Sequence, residues 1–287
     1  MRVTQYQTVW QLTFFPALFP VNCYLVEEEN EVTLIDAALP GSYKGIIQAV
    51  NQLGKPLQHI LLTHAHGDHV GSLDALTQAF PHAKVMISER DSFLLQGDTS
   101  LRHDEPQTPI KGGVPKHVQT KPHQLLTGDE TIGSLLAIPT PGHTPGSMSF
   151  LDTRNGTVIA GDAFQLRGGI AVSGQIKWTF PFPAFATWNK EEAIKSAQLL
   201  ADIFFYGYIN INLCPLRYRC TLIIHFKVTC KRTQMTLIPR PNFLPRFKHN
   251  LFNRADSGSE NGIIGSWQIN IFIGFRKSAA LLLKRSD

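Results

Sequence analysis

Cysteine is almost missing from the first 200 residues of this chain. Cys23 stands there alone, and the other three of the four cysteines, Cys214, Cys220 and Cys230, come late among 287 residues. That scarcity excludes a disulfide-built scaffold and makes a reducing compartment, the cytoplasm, the simplest setting. The late cysteines form no C-x-x-C pair and match no zinc-finger spacing. No glycine-rich phosphate loop follows a strand candidate. The run Gly146-Ser147-Met148-Ser149 lacks the closing glycine of a serine-nucleophile elbow. No apolar run suits a transmembrane segment. Trp10–Val26 is rich in apolar residues but carries Pro16, Pro20 and Asn22 without a basic start, which predicts strands rather than an export signal.

Acidic residues are also scarce in one part of the chain. Residues 203–287 hold 13 Lys and Arg against 3 Asp and Glu, a formal +10, whereas residues 1–202 hold 14 against 19, a formal −5. The overall +5 is therefore an average of two unlike segments. A basic tail attracts polyanions without defining a site, so no specific nucleic-acid partner is expected. Texture changes at the same boundary. After Asp202 neither capping signals nor a consistent amphipathic period appears, and a stretch with no locally consistent pattern is expected to order poorly. An altered reading frame accounts for it better than an accessory segment or a structured extension. The domain expectation is thus a folded unit over 1–202 and an atypical basic tail over 203–287.

Within 1–202 the hydrophobic pattern alternates between two periods. Val32–Asp36 reads as a strand, and Tyr43–Leu53 shows a helical apolar face at Ile46, Ile47, Val50 and Leu53, closed by Gly54 and Pro56. His59–Leu62 reads as a buried strand, Val70–Phe80 as a helix and Lys84–Ser88 as a strand. This order predicts an α/β layered domain. From Asp91 to Gln124 the pattern dissolves, which fits a helical insertion and a loop over the site. Ile132–Ile138, Ser147–Leu151 and Thr157–Ala160 supply three more strands. A helix follows that Thr187 or Asn189 can cap, with Glu191 and Glu192 in its first turn.

What the chain does have is histidine in one place. Thr63-His64-Ala65-His66-Gly67-Asp68-His69 puts three imidazoles and a carboxylate at the end of an apolar strand. Such a cluster is unfavourable to bury unless it holds a cation. His64 and His66, two apart on extended backbone, can face one ion together. Gly67 lets the chain turn sharply, so that Asp68 and His69 aim at a second ion. His143, in Pro141-Gly142-His143-Thr144-Pro145-Gly146, offers a third imidazole to the first ion. Asp162, in Gly161-Asp162-Ala163, ends a strand and has two oxygens with which to bridge both ions. Three nitrogen ligands suit zinc. Asp36 is either an orienting partner of a ligand or a strand-end turn former. His59, His82, His103, His117 and His123 are expected to be structural or exposed.

These motifs resemble the metallo-β-lactamase superfamily over residues 5–202, nearest to its glyoxalase II and lactonase-like branch. The resemblance implies an αββα sandwich and a two-metal site. His64, His66 and His143 would hold one ion, Asp68 and His69 the other, and Asp162 both. It further implies zinc-dependent hydrolysis of an ester, thioester or lactone by a metal-bound hydroxide. Asp68 would orient that hydroxide, and the substrate would be a small molecule. Members complete the second site with a further histidine near the C-terminus. The only later histidines here are His225 and His249, neither in a Gly-His-Gly setting. A tight first ion, a weak second ion and impaired turnover are therefore expected. The rival readings are a non-catalytic remnant of the fold and a di-iron oxidoreductase of the same superfamily. Oligomeric state is left open by the sequence.

Overall fold

The computed structural model describes residues 1–206, with side chains through 203. The basic tail, His225, His249 and the three late cysteines therefore lie outside the described residues, apart from the tail's first positions. Seven strands form the larger sheet: β1 (Arg2–Tyr6), β2 (Val9–Phe14), β3 (Val21–Glu27), β4 (Val32–Ile35), β5 (Leu57–Leu61), β6 (Lys84–Ser88) and β7 (Gln124–Leu126). They lie side by side in chain order. The first four pair antiparallel through tight connections. From β4 onward the pairing is parallel, because helices carry the chain back between strands. Those helices are α1 (Tyr43–Leu53), the short α2 (Gly67–Val70), α3 (Leu73–Ala79) and α4 (Glu89–Leu95).

A second, antiparallel sheet is built from β8 (Thr131–Ile132), β9 (Leu135–Pro139), β10 (Met148–Asp152) and β11 (Thr157–Ile159). The single strand expected over 132–138 is two, since Gly133, at φ +57°, turns the chain back on itself. Beyond β11 come a 3-10 turn (Gly161–Ala163), the two-stranded β12 (Phe164–Gln165) and β13 (Ala171–Val172), α5 (Phe182–Ala186) and α6 (Lys190–Tyr206). Asn189 Oδ1 accepts the backbone N–H groups of Glu191 and Glu192, the cap the sequence suggests. α6 continues to Tyr206, past the texture change at Asp202.

The strands of the large sheet are buried on both faces, and their alternation sorts side chains into two cores. Cys23, Leu25, Ile60, Leu62, Val85 and Ile87 face the helices and pack with Ile46 and Val50 of α1 and with Leu73 and Leu76 of α3. Their neighbours Tyr24, Val26, Leu61 and Met86 face the other way, onto Ala137, Met148 and Phe150 of the second sheet. Two facing sheets form the α/β layered domain that the sequence pattern predicts and the sandwich that the family resemblance implies.

The two sheets are tied at the strand ends away from the histidines by a buried carboxylate. Asp152, fully buried, accepts from Thr8 Oγ1 at 2.8 Å and from Arg154 Nε and Nη2 at 3.0 and 2.7 Å. Arg154 also donates to Glu28 at 2.7 Å, and Glu28 accepts from Ser134 N at 2.9 Å. Burial alone would raise the Asp152 pKa, but its bonds to Arg154 and Thr8 outweigh that and hold it below the ordinary 3.8. A depressed carboxylate stabilises the fold above its unfolded pKa, and that contribution is lost as pH falls through the folded value. Arg154→Met is expected to lower stability at neutral pH by about 2 kcal/mol. The deficit relative to wild type should shrink as the pH drops below 3.8. Urea unfolding across that range measures both, and a deficit independent of pH would refute the assignment.

Candidate metal centre

The loop after β5 delivers the histidine cluster, and the loops after β9 and β11 deliver its counterparts. His64, His66, His69 and His143 are all buried and crowd together. His64 lies 4.8 Å, ring centre to ring centre, from His66 and from His143, and 4.0 Å from His69. One nitrogen each of His64, His66 and His143 falls within 4.8 Å of the others, and so do donor atoms of His64, His69 and Asp162. The structure thus brings five of the six expected ligands into two overlapping sets that share His64. The sixth, Asp68, is in neither. Its Oδ2 is 3.9 Å from His69 Nε2, and its carboxylate opens toward solvent.

Each ring is turned by a protein acceptor on its far nitrogen. Asp36, buried at φ +64° just beyond β4, accepts the backbone N–H and hydroxyl of Thr63, both at 2.8 Å, and Nδ1–H of His69 at 2.8 Å. With its proton given to Asp36, the Thr63 hydroxyl accepts Nδ1–H of His64 at 3.0 Å. Asp36 is therefore an orienting residue, the first of the two roles open to it in the sequence. Nδ1–H of His143 donates to Ser173 Oγ at 3.0 Å, with Thr187 Oγ1 at 3.2 Å. His66 is reversed: its Nε2–H donates to the Lys111 carbonyl at 2.9 Å.

This wiring leaves the inward nitrogens of His64, His66 and His143 as lone pairs. Nδ1 of His66 faces Nε2 of His143 at 3.0 Å, and buried Nε2 of His64 has no hydrogen-bond partner. Lone pairs converging in a dry site repel unless an electrophile sits between them. The donor set, three imidazole nitrogens with carboxylates beside them, fits a transition metal such as zinc or iron. Burial and the neighbouring rings hold His64 well below the ordinary histidine value, and burial brings His143 down to about 3. Both are neutral near pH 7, the form that ligates. His69 behaves oppositely. Burial would lower it, but Asp36, Asp162 and Asp68 outweigh burial and raise it well above the usual value. Asp162 sits in the 3-10 turn rather than at a strand end. Its Oδ1 is 3.4 Å from His69 and its Oδ2 3.4 Å from His143, so its two oxygens span both sets.

Gly67 plays a different part from the sharp turn expected of it. It begins α2, its φ is not positive, and its N–H donates to Gly113 O at 2.8 Å. Asp68 and His69 consequently ride on the first helical turn, earlier than the helix start predicted near Val70. The glycine that matters is Gly112, at φ +90°: a Cβ there would lie 2.3 Å from His66 Nε2. It lets the loop over the site, whose path the sequence left undetermined, lie against the ring.

Asp91 is the residue that sequence reasoning missed. It is fully buried on α4 and accepts from Ala65 N at 2.9 Å, Thr144 Oγ1 at 2.8 Å and Gly146 N at 2.8 Å. One carboxylate therefore pins the loop of His64 and His66 to the loop of His143. The sequence gives no hint of this, because Asp91 opens the stretch to Gln124 in which the hydrophobic pattern dissolves.

A metallo-beta-lactamase superfamily model matches residues 16–207, and the chain belongs to that superfamily. An uncharacterized Bacillus subtilis protein, YobT, is 95% identical over 202 residues, which cover 70% of this chain and 87% of YobT. A probable metallo-hydrolase of Streptococcus pyogenes is 36% identical over 148 residues, 50% of this chain and 61% of that protein. The hydroxyacylglutathione hydrolase GloC of Haemophilus influenzae is 30% identical over 155 residues, 53% of this chain and 70% of GloC. A crystal structure of TTHA1623 in a di-iron-bound form superposes with a TM-score of 0.49 at 23% identity, covering 67% of this chain and 86% of that one. Among the described residues no helix is long and apolar enough to cross a membrane.

Two substitutions test the wiring. Asp91→Asn replaces an acceptor oxygen with an NH2 group facing donors, and it is expected to weaken metal binding 10- to 100-fold while the protein still folds. Gly112→Ala should displace His66 and weaken the first site comparably. Calorimetric zinc titration measures both. Wild-type affinity in the two variants would refute the roles given to Asp91 and Gly112.

Proposed function

We propose that this protein is a two-metal hydrolase of small esters, thioesters or lactones, with zinc as the first ion. His64, His66 and His143 hold that ion; Asp68 and His69 hold the second, and Asp162 reaches both. The observation that carries the reading is the convergence of three buried imidazole lone pairs, one of them on the unpartnered Nε2 of His64. The superfamily of the chain and the relatives named metallo-hydrolase and hydroxyacylglutathione hydrolase support the reaction class. The hydrolytic unit is taken as 1–202, with the basic segment 203–287 added to it. Free, buried Cys23 agrees with a reducing compartment such as the cytoplasm.

When bound, the metal pair would supply a Lewis acid and lower the pKa of water toward neutrality. The chain's own residues do the rest. Asp36, Thr63, Ser173 and Lys111 O hold the four rings in their tautomers. Asp68, about one-third exposed, faces the pocket and can take a proton on Oδ2 from the attacking water and pass it to the leaving oxygen or sulfur. Asp162 completes the polar floor.

The described residues offer the second ion fewer firm donors than the first. Metal analysis of the full chain is therefore expected to give one equivalent resistant to mild chelation and a second that is readily removed. Two resistant equivalents would refute this asymmetry. His66→Ala should lose the resistant equivalent and all hydrolytic activity, and unchanged zinc content in that variant would overturn the first-site assignment. Asp68→Asn should keep the resistant equivalent while its turnover falls roughly 10²- to 10⁴-fold.

A further inference from the structure

The chain between α4 and β7, residues 96–123, holds no helix or strand, yet it supplies the acceptor that turns His66. Polar anchors hold its two ends. Arg90 of α4, buried, donates to both carboxylate oxygens of Glu105 and, at 2.9 Å, to Ser100 O. Asp74 of α3 accepts the N–H groups of Gln119 and Thr120 at 3.0 and 2.8 Å. Midway, the anchor is Trp188, which lies between α5 and α6 and is buried. Its indole Nε1–H donates to Thr108 O at 2.8 Å. Its backbone N–H donates to His143 O at 2.9 Å, and the next N–H, of Asn189, donates to Gly142 O at 2.9 Å. One residue thus grips the His143 loop with its main chain and the segment over His66 with its ring.

Resting on the assignment of His64, His66 and His143 to the first ion, we propose that Trp188 is a positioning residue that joins His66 to His143. Thr108 lies three residues before Lys111, whose carbonyl accepts Nε2–H of His66 at 2.9 Å, and Gly113 O accepts the Gly67 N–H at 2.8 Å. Ile110 and Val114 rest partly buried on the helix-side core, but apolar contact is non-directional and does not aim a carbonyl. Thr108 and residues 111–113 are exposed. Without the indole bond their carbonyls can turn to water with little loss. His66 then loses the acceptor that keeps its proton on Nε2. With the proton on Nδ1 instead, it can donate to His143 Nε2, 3.0 Å away, and both lone pairs that an ion needs are consumed. The indole bond favours metal binding by disfavouring that internal hydrogen bond.

The test is zinc and cobalt(II) binding to the full chain carrying Trp188→Phe, run beside Trp10→Phe. Trp10 Nε1 donates to Glu27 Oε2 at 3.2 Å, at the sheet end away from the histidines, so its loss is a control for removing an indole N–H. Trp188→Phe is expected to weaken the tight equivalent roughly 10- to 100-fold and to change the visible absorption of the cobalt-loaded site. Trp10→Phe should leave both unaltered. A folded Trp188→Phe with wild-type affinity and an unchanged cobalt spectrum would overturn the proposal. Should that variant not fold, the wild-type chain gives the answer. Coupling is reciprocal, so zinc loading should slow hydrogen exchange of the Trp188 indole N–H roughly tenfold, and equal exchange with and without zinc would overturn the joint. Weakened zinc binding in Trp188→Phe, with no ester hydrolysed by wild type, would support the joint while removing the hydrolytic reading. Unchanged zinc content in His66→Ala would overturn both.

Discussion

The centre depends on every buried imidazole having one nitrogen tied to a protein acceptor. An unrestrained histidine can flip or exchange tautomers, and neighbouring rings with centres 4.0 to 4.8 Å apart would relax by donating to one another. Here Asp36 fixes His69 directly and His64 through Thr63. Ser173 fixes His143, and the Lys111 carbonyl fixes His66. The inward lone pairs follow from those outward bonds. The carboxylate of Asp36 contributes most, since two rings and a backbone N–H rest on it, and its positive φ places it where β4 ends beside the β5 loop.

The sheet architecture explains why these acceptors come from such distant positions. Parallel β4, β5 and β6 end on one edge, so Asp36, the histidine cluster and α4 with Asp91 leave the sheet side by side. β10 starts at the same edge, where Met148 N donates to Thr63 O at 2.8 Å, and this contact joins the second sheet to the histidine loop. Asp91 reinforces that joint with three accepted hydrogen bonds. Burial raises its pKa, and the bonds to Thr144, Ala65 and Gly146 counter the shift. A buried carboxylate satisfied by donors from two loops fixes their spacing more firmly than an apolar contact would.

Much of this was legible in the residues. Tyr43–Leu53 and Lys84–Ser88 appear with the predicted bounds, because their apolar periods are unbroken and glycine, proline or a turn closes each. The histidine cluster and its two distant partners were readable because their residue types have few bland explanations at that spacing. Other features were hidden for physical reasons. Gly133 splits one apolar run into two strands through a backbone angle that no side-chain pattern reveals. α5 and the β12–β13 pair are short and held by tertiary contacts. Asp91 and the Lys111 carbonyl act through geometry across sequence gaps of 26 to 55 residues, and a carbonyl has no sequence signature at all.

The asymmetry of the site ties these points to its chemistry. His64, His66 and His143 are enclosed and their orientation is over-determined, so the first set is rigid before anything binds. Asp68 and Asp162 are each about 30% exposed and border the cavity. Among the described residues, the cavity beside the cluster lies on their side. Rigid nitrogen donors behind and partly solvated carboxylates in front separate two demands that conflict in a single environment. Holding a cation firmly needs buried, pre-oriented lone pairs, whereas moving protons needs oxygen atoms that can still reach solvent and substrate. On the proposed reading the fold meets both, with nitrogen donors from enclosed loops and the carboxylates of Asp68 and Asp162 from a helix start and a 3-10 turn at the rim.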